Sequence, residues 1–174
     1  MEHTQNHHEI TEIKETSIFD YYPIFLIAAY IIAVAAINNF HNGQMQWHYF
    51  MNQFMAGFFL VFSGFKLFNI KGFAEGYATY DLLAKKWNGY GFIYPFFELG
   101  LGILYVGFWF PLTTQWLTII IMGFSSLGVI NSLLKKQNFR CACLGTILNV
   151  PLSSITLIED LLMVVLAIIS LCNF

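Results

Sequence analysis

Charged residues are scarce in this chain. Of its 174 residues only 10% are charged, while 57% are hydrophobic and 19 are Phe. A soluble domain carries about 25% charged residues, so this chain has too few to cover a surface exposed to water. The net charge of -2 supplies no basic surface, which excludes nucleic acid as a partner. The three cysteines are too few and odd in number, which excludes a disulfide framework of the small secreted type.

Long apolar segments take the place of the missing charge. Five of them occur, over about residues 22–40, 50–70, 92–110, 116–134 and 155–174. Each is close to the ~20 residues that a helix needs to cross the hydrocarbon core of a bilayer. The sequence therefore predicts an all-α, polytopic membrane helix bundle over residues 21–174, preceded by a polar tail over residues 1–20. The long connection after the second segment has the periodicity of an amphipathic helix at the membrane interface, over about residues 72–86.

The distribution of basic residues predicts the orientation of the bundle. The basic residues between the apolar segments all follow the second or the fourth segment: Lys71, Lys85, Lys86, Lys135, Lys136 and Arg140. The connections after the first and third segments contain no Lys or Arg. Positively charged connections stay in the cytoplasm. We therefore expect a multi-pass protein of the bacterial inner membrane, with a cytoplasmic N-terminus, a cytoplasmic connection before the fifth segment and a C-terminus outside.

Two cysteines one residue apart, Cys141 and Cys143, lie in that last connection. As catalytic thiols, one would attack or be attacked in disulfide exchange and the other would resolve the mixed disulfide. Arg140 would favour the thiolate by charge attraction. The same two sulfurs suit a soft metal ion such as Cu(I), or zinc with help from the imidazoles of His7 and His8. The pair is also open to a third interpretation, in which both are incidental small apolar residues.

Ionisable residues also occur inside the apolar segments. Such a group is costly in a membrane and is by default a hypothesis for a functional site. Lys66 lies near the end of the second segment and Glu98 about two turns into the third, so an ion pair between them is expected. Asp160, in the first turns of the fifth segment, is a candidate proton acceptor near the thiols. The number of crossings places all three near the membrane face of the cysteine pair, although the ion pair also suits a purely structural role.

Several sequence stretches resemble a known family. They are Met55-Ala-Gly57-Phe-Phe-Leu-Val-Phe-Ser63-Gly64-Phe-Lys66, Tyr94-Pro95-Phe-Phe-Glu98-Leu-Gly100, Cys141-Ala-Cys143-Leu-Gly145 and Leu157-Ile-Glu-Asp160. In this order they are similar to the DoxX/MauE family of membrane proteins, and to its MauE branch in particular, over about residues 50–170. The resemblance implies a four-helix membrane core, to which this chain adds one N-terminal transmembrane helix. It also implies that Cys141 and Cys143 are redox thiols and that Lys66, Pro95 and Glu98 are signature positions of the core.

The function that the resemblance implies is redox-associated. The protein would handle thiol–disulfide exchange or reducing equivalents for an envelope partner such as a thioredoxin-like protein, with an oxidoreductase-like activity left open. A quinone is a further candidate cofactor, although no motif indicates one. Two alternatives remain. One is heavy-metal handling, with copper or zinc and a heavy-metal-associated domain protein as partner. The other is a non-catalytic scaffold subunit of a larger envelope complex.

Overall fold

The chain forms helices throughout the part that the structure describes. A computed structural model describes residues 22–40, 46–79, 81–87, 89–134 and 152–172. The helices are α1 (Tyr22–Phe40), α2 (Trp47–Phe68), α3 (Ile70–Tyr77), α4 (Leu82–Lys86), α5 (Gly89–Gly107), α6 (Pro111–Leu134) and α7 (Leu152–Cys172). No strand occurs within these described ranges. The predicted all-α class is confirmed.

Four helices are long and apolar enough to cross a membrane. They contain the segments Tyr22–Asn39, Trp47–Phe68, Gly89–Gly107 and Pro111–Asn131. Apolar segments of this length form helices because a bilayer offers no hydrogen-bond partners to the backbone, and a helix satisfies its own. The structure is therefore that of a polytopic helical membrane protein. The fifth predicted segment corresponds to α7, which has 21 residues.

Helices α2, α5, α6 and α7 form a bundle in which the chain direction alternates. Gln115, near the start of α6, donates hydrogen bonds to Asn52 near the start of α2 and to Ser170 near the end of α7. At the other end of the bundle, Lys66 near the end of α2 meets Glu98 in the middle of α5. We refer to these two regions as the Gln115 end and the Lys66 end.

Helix α1 packs against α2 on the outside of this bundle. A methyl carbon of Ile31 lies 3.0 Å from the position that a Cβ on Gly57 would take, so this glycine lets the two helices approach closely. The Asn39 side chain exchanges two hydrogen bonds of 3.2 Å with the backbone of Gln46, which closes the α1–α2 hairpin. Many large side chains of α1 stay exposed, among them Phe25 and Ile37, as expected for a helix facing lipid.

Two short helices connect α2 to α5 at the Lys66 end. The sequence predicted one amphipathic helix over about residues 72–86 here, and the chain instead forms α3 and α4. Asn69 caps the start of α3 and Asp81 caps the start of α4, because each side chain accepts hydrogen bonds from backbone N–H groups of the helix that follows. Phe73 and Tyr77 of α3 are buried. The connection therefore forms a wall of the bundle.

An apolar layer separates the two ends of the bundle. Its buried side chains come from all four helices: Met55, Phe59, Leu101, Met122 and Met163. Polar residues are concentrated above and below this layer. The buried polar side chains of the described bundle therefore form two groups, one at the Gln115 end and one at the Lys66 end.

Candidate functional site

The Lys66 end contains a buried ion pair. The Lys66 ammonium group donates to Oε1 of Glu98, and the two residues are 5% and 3% exposed. The Nζ atom also lies 5.5 Å from the centre of the Phe73 ring and 5.3 Å from that of Tyr94, within the range of cation–π attraction. The ion pair expected from the sequence is present. Removing one partner of such a buried pair typically costs about 3–5 kcal/mol, since the other charge is left uncompensated.

Helix α3 covers this ion pair because α5 carries a glycine opposite it. A Cβ on Gly91 would lie 3.0 Å from Cα of Ala74, so the two backbones approach too closely for a side chain between them. Tyr77 stacks on Tyr94 with 4.6 Å between the ring centres, and Phe73 stacks on Tyr94 at 6.2 Å. The rings of Phe73 and Tyr94 therefore lie beside the Lys66 ammonium group, and Tyr77 packs against Tyr94.

Asp160 is a second buried carboxyl group at this end. The sequence placed it in the first turns of its helix, but α7 begins at Leu152. At about 1.5 Å of rise per residue, Asp160 is therefore about 12 Å inside the helix. It is 3% exposed, and it interacts with the Ser125 hydroxyl and with the charges of Lys66 and Glu98. Its Oδ2 atom accepts no hydrogen bond within the part of the chain that the structure describes.

Asp81 is a third carboxyl group at this end, and it was not among the site residues predicted from the sequence. It is fully buried, and its Oδ1 accepts hydrogen bonds of 2.9 and 2.8 Å from the backbone N–H groups of Leu83 and Ala84. Burial raises the pKa of Asp81 above its ordinary value of 3.8. The two backbone donors, the Tyr77 hydroxyl and the charge of Lys85 act in the opposite direction without cancelling that effect. Its position before a short apolar helix was the signal that could have identified it as an N-cap.

A neutral polar network forms the second centre, at the Gln115 end. Gln115 donates to Oδ1 of Asn52 at 3.0 Å and to Oγ of Ser170 at 2.8 Å, and its own Oε1 accepts from the Tyr105 hydroxyl at 2.8 Å. The His48 ring lies 3.1 Å from Oγ of Ser170 and 3.4 Å from Nδ2 of Asn52. Hydrogen bonds between helices of this kind hold membrane bundles together. The sequence did not indicate this network, because polar residues in separate apolar segments do not show which of them come into contact.

A family model described as methylamine utilisation protein MauE matches residues 45–173. The chain belongs to the MauE family. The matched region begins just before α2 and includes every helix of the bundle, so α1 lies outside it. No curated protein and no solved structure matches the chain. The family resemblance predicted from the sequence is confirmed, and the protein is a multi-pass membrane protein.

The predicted cysteine site of this MauE-family chain lies outside the described residues. Cys141, Cys143 and Arg140 fall in residues 135–151, and His7 and His8 fall in the N-terminal tail. The described helices still fix where residues 135–151 are attached, because α6 ends and α7 begins at the Lys66 end. Within the described ranges, no group of three or more His, Cys, Asp or Glu side chains is placed to hold a metal ion. The predicted soft-metal ligands Cys141, Cys143, His7 and His8 are not among those residues.

Proposed function

We propose that this MauE-family protein handles thiol–disulfide exchange, or transfers reducing equivalents, for an envelope partner through Cys141 and Cys143. The observation that carries the proposal is the family match over residues 45–173, which includes the cysteine pair and the buried Lys66–Glu98 pair in one domain. The segment with the cysteines is attached at the Lys66 end, where the described bundle concentrates its charged groups.

The exchange reaction follows from thiol chemistry. One thiolate, at Cys141, attacks a sulfur of the partner's disulfide, and the partner's other sulfur leaves as a thiolate and takes up a proton. Cys143 then loses its proton and attacks the mixed disulfide, which releases the partner as a dithiol. Two electrons pass to the partner, and a disulfide between Cys141 and Cys143 remains. Its ring is small and therefore strained, so it is readily reduced again.

The proposed setting is the bacterial inner membrane, with the cysteine segment on the cytoplasmic side. The basic residues that follow α2 and α6 support this orientation. Thiols on that side are kept reduced, so electrons would enter the protein there. A thioredoxin-like protein is the proposed partner, because it offers a disulfide of matching chemistry. Because Cys141 attacks that disulfide directly, the partner presents it at the cytoplasmic face of the inner membrane.

Thiol trapping in cells tests the proposal. Cells are acid-quenched and treated with a reagent that adds mass to each free thiol, and Cys141→Ser, Cys143→Ser and the control Cys172→Ser are compared with the wild type. The wild type is expected to show an oxidised fraction that both loop variants lose and the control keeps. Cys143→Ser is expected to accumulate a mixed disulfide, since nothing resolves it.

Two results would contradict the proposal. One is a cysteine pair that stays fully reduced under every redox condition applied to the cells. The other is a metal ion that copurifies with the wild type and is lost in Cys143→Ser, which would indicate metal handling in place of redox exchange.

A further inference from the structure

Among the described residues, the buried side chains in the membrane-embedded part of the Lys66 end include more acidic groups than basic ones. Lys66 supplies one positive charge, and Glu98 and Asp160 supply two carboxyl groups. The ammonium group is hydrogen-bonded to Glu98 and lies over the rings of Phe73 and Tyr94. If both carboxyl groups were ionised, these three residues would carry a net negative charge inside the bundle. A buried charge without compensation is costly, and such a group usually becomes neutral instead.

Charged and polar groups from several described elements act on Asp160. From α2 comes Lys66, and from α5 come Tyr90, Tyr94 and Glu98. Asp81, before α4, adds a further carboxyl group, and Ser125 of α6 contributes a neutral hydroxyl. Glu159 precedes Asp160 on its own helix. Without counting Glu159, three carboxyl groups of the described chain (Asp81, Glu98 and Asp160 itself) outnumber its one buried ammonium group, so the described surroundings favour a neutral Asp160.

The hydrogen bonds give an independent reason for the same conclusion. Oδ2 of Asp160 and Oε2 of Glu98 are both buried, and neither accepts a hydrogen bond from the described residues. A carboxylate oxygen can only accept, and a protonated carboxyl group also donates. An ionised Asp160 would carry its charge on an oxygen that no described donor stabilises, so the neutral, protonated form is favoured.

We propose that Asp160 is a proton-binding site within the membrane-embedded bundle, and that it holds its proton at neutral pH while Lys66 stays paired with Glu98. The ligand is a proton from water at the Lys66 end. Its release leaves one ammonium group facing two carboxylates, and the bundle loses stability as the pH is raised. This inference goes beyond the proposed thiol chemistry and does not depend on Cys141 or Cys143.

Infrared spectroscopy of the full chain in lipid nanodiscs tests the proposal. A protonated carboxyl group in an apolar site has a carbonyl stretching band that an ionised one lacks. The wild type is expected to show this band at neutral pH and to lose it at alkaline pH. Asp160→Asn is expected to remove the band, whereas the neighbouring Glu159→Gln keeps it. Glu98→Gln is expected to shift its frequency, because it changes the charge beside Asp160.

Isotope labelling keeps the test valid if Asp160→Asn fails to fold. The chain contains three aspartates, at positions 20, 81 and 160. Carboxyl-¹³C aspartate in an otherwise unlabelled Asp81→Asn protein is expected to shift the neutral-pH band to lower frequency. Three results would overturn the proposal: no protonated-carboxyl band at neutral pH, a band unmoved by labelled aspartate, or a band unchanged in folded Asp160→Asn.

Discussion

At the scale of single residues, the described part of the Lys66 end contains one buried lysine and three buried carboxyl side chains: Lys66, Asp81, Glu98 and Asp160. The cost of burying these charges differs among them, because their hydrogen-bond and charge partners differ. Glu98 has the Lys66 ammonium, and Asp81 has two backbone N–H donors at the start of α4. Asp160 has a serine hydroxyl and an oxygen that accepts no hydrogen bond in the described chain. The site therefore contains one compensated charge pair, one helix cap and one carboxyl group suited to holding a proton.

The cap at Asp81 predicts a specific pH dependence. Because burial raises the pKa of Asp81, the folded state binds its proton more tightly than the unfolded state. This contribution to stability is fully present below the ordinary pKa of 3.8 and is lost as the pH rises through the raised folded-state pKa. Asp81→Asn keeps the cap and removes the ionisation. We expect its midpoint of denaturation to fall less than that of the wild type between acidic and neutral pH.

Asp81→Ala is the matched comparison, since it removes the ionisation and the cap together. Loss of an N-cap typically costs about 1 kcal/mol, so this variant should be less stable than Asp81→Asn at every pH. Denaturant titrations of the three proteins in the same detergent measure both effects. The explanation fails if Asp81→Asn shows the same fall from acidic to neutral pH as the wild type.

At the scale of helices, the glycines of α5 differ in whether another helix packs closely against them. Gly91 faces the backbone of α3 in close contact, whereas a Cβ on Gly100 would meet no atom within 4 Å. The sequence shows the glycines but not which of them has a neighbour. Contact with a second helix is a property of the packed bundle.

Two alanine substitutions on α5 are therefore expected to have opposite effects. In Gly91→Ala the new methyl group meets Cα and the carbonyl oxygen of Ala74 at 3.0 and 3.1 Å, so α3 must move. Overpacking of this kind costs about 1–3 kcal/mol. Gly100→Ala adds a methyl group in open space and is expected to be neutral, or stabilising by about 0.5–1 kcal/mol, because alanine favours the helix.

Free energies of unfolding for the two variants decide this comparison. Equal destabilisation would mean that Gly91 does not form a close contact with α3 and that both values reflect helix α5 alone. A Gly91→Ala protein that is as stable as the wild type and keeps the Lys66–Glu98 pair would also show that Gly91 does not contact α3 closely.

At the scale of the whole molecule, the bundle has a charged centre and a neutral hydrogen-bonded centre at opposite ends. The apolar layer of Met55, Met122 and Met163 separates them. Residues 135–151 are attached at the charged end, and Cys172 is exposed at the end of α7, on the neutral side. The fold therefore separates Cys172 from the helix ends to which residues 135–151 are attached.

This separation predicts opposite labelling of the cysteines. Single-cysteine variants that retain only Cys141 or only Cys172 are treated with a membrane-impermeant thiol reagent, in intact spheroplasts and after permeabilisation. We expect Cys172 to react in intact spheroplasts and Cys141 to react only once the membrane is opened, because basic connections stay inside. Labelling of both from the same side would contradict α7 as a membrane-crossing helix.

The membrane class, the helical architecture and the family can be predicted from the amino-acid sequence alone. These follow from local properties: apolar length, scarcity of charge and the order of short motifs. It also indicated Lys66 and Glu98 as partners, since an ammonium and a carboxyl group in adjacent segments have few other ways to lower their cost in lipid.

Which polar groups contact one another depends on the tertiary structure. The break between α3 and α4, the burial of Asp81, the depth of Asp160 and the hydrogen bonds of Gln115 all depend on contacts between segments far apart in the chain. Helical periodicity gives each side chain a direction on its own helix, but the rotation of one helix against the next is set by packing. The sequence therefore identifies the ionisable residues that are costly to bury in a membrane. The packed bundle shows which of their buried oxygens accept no hydrogen bond from the described chain.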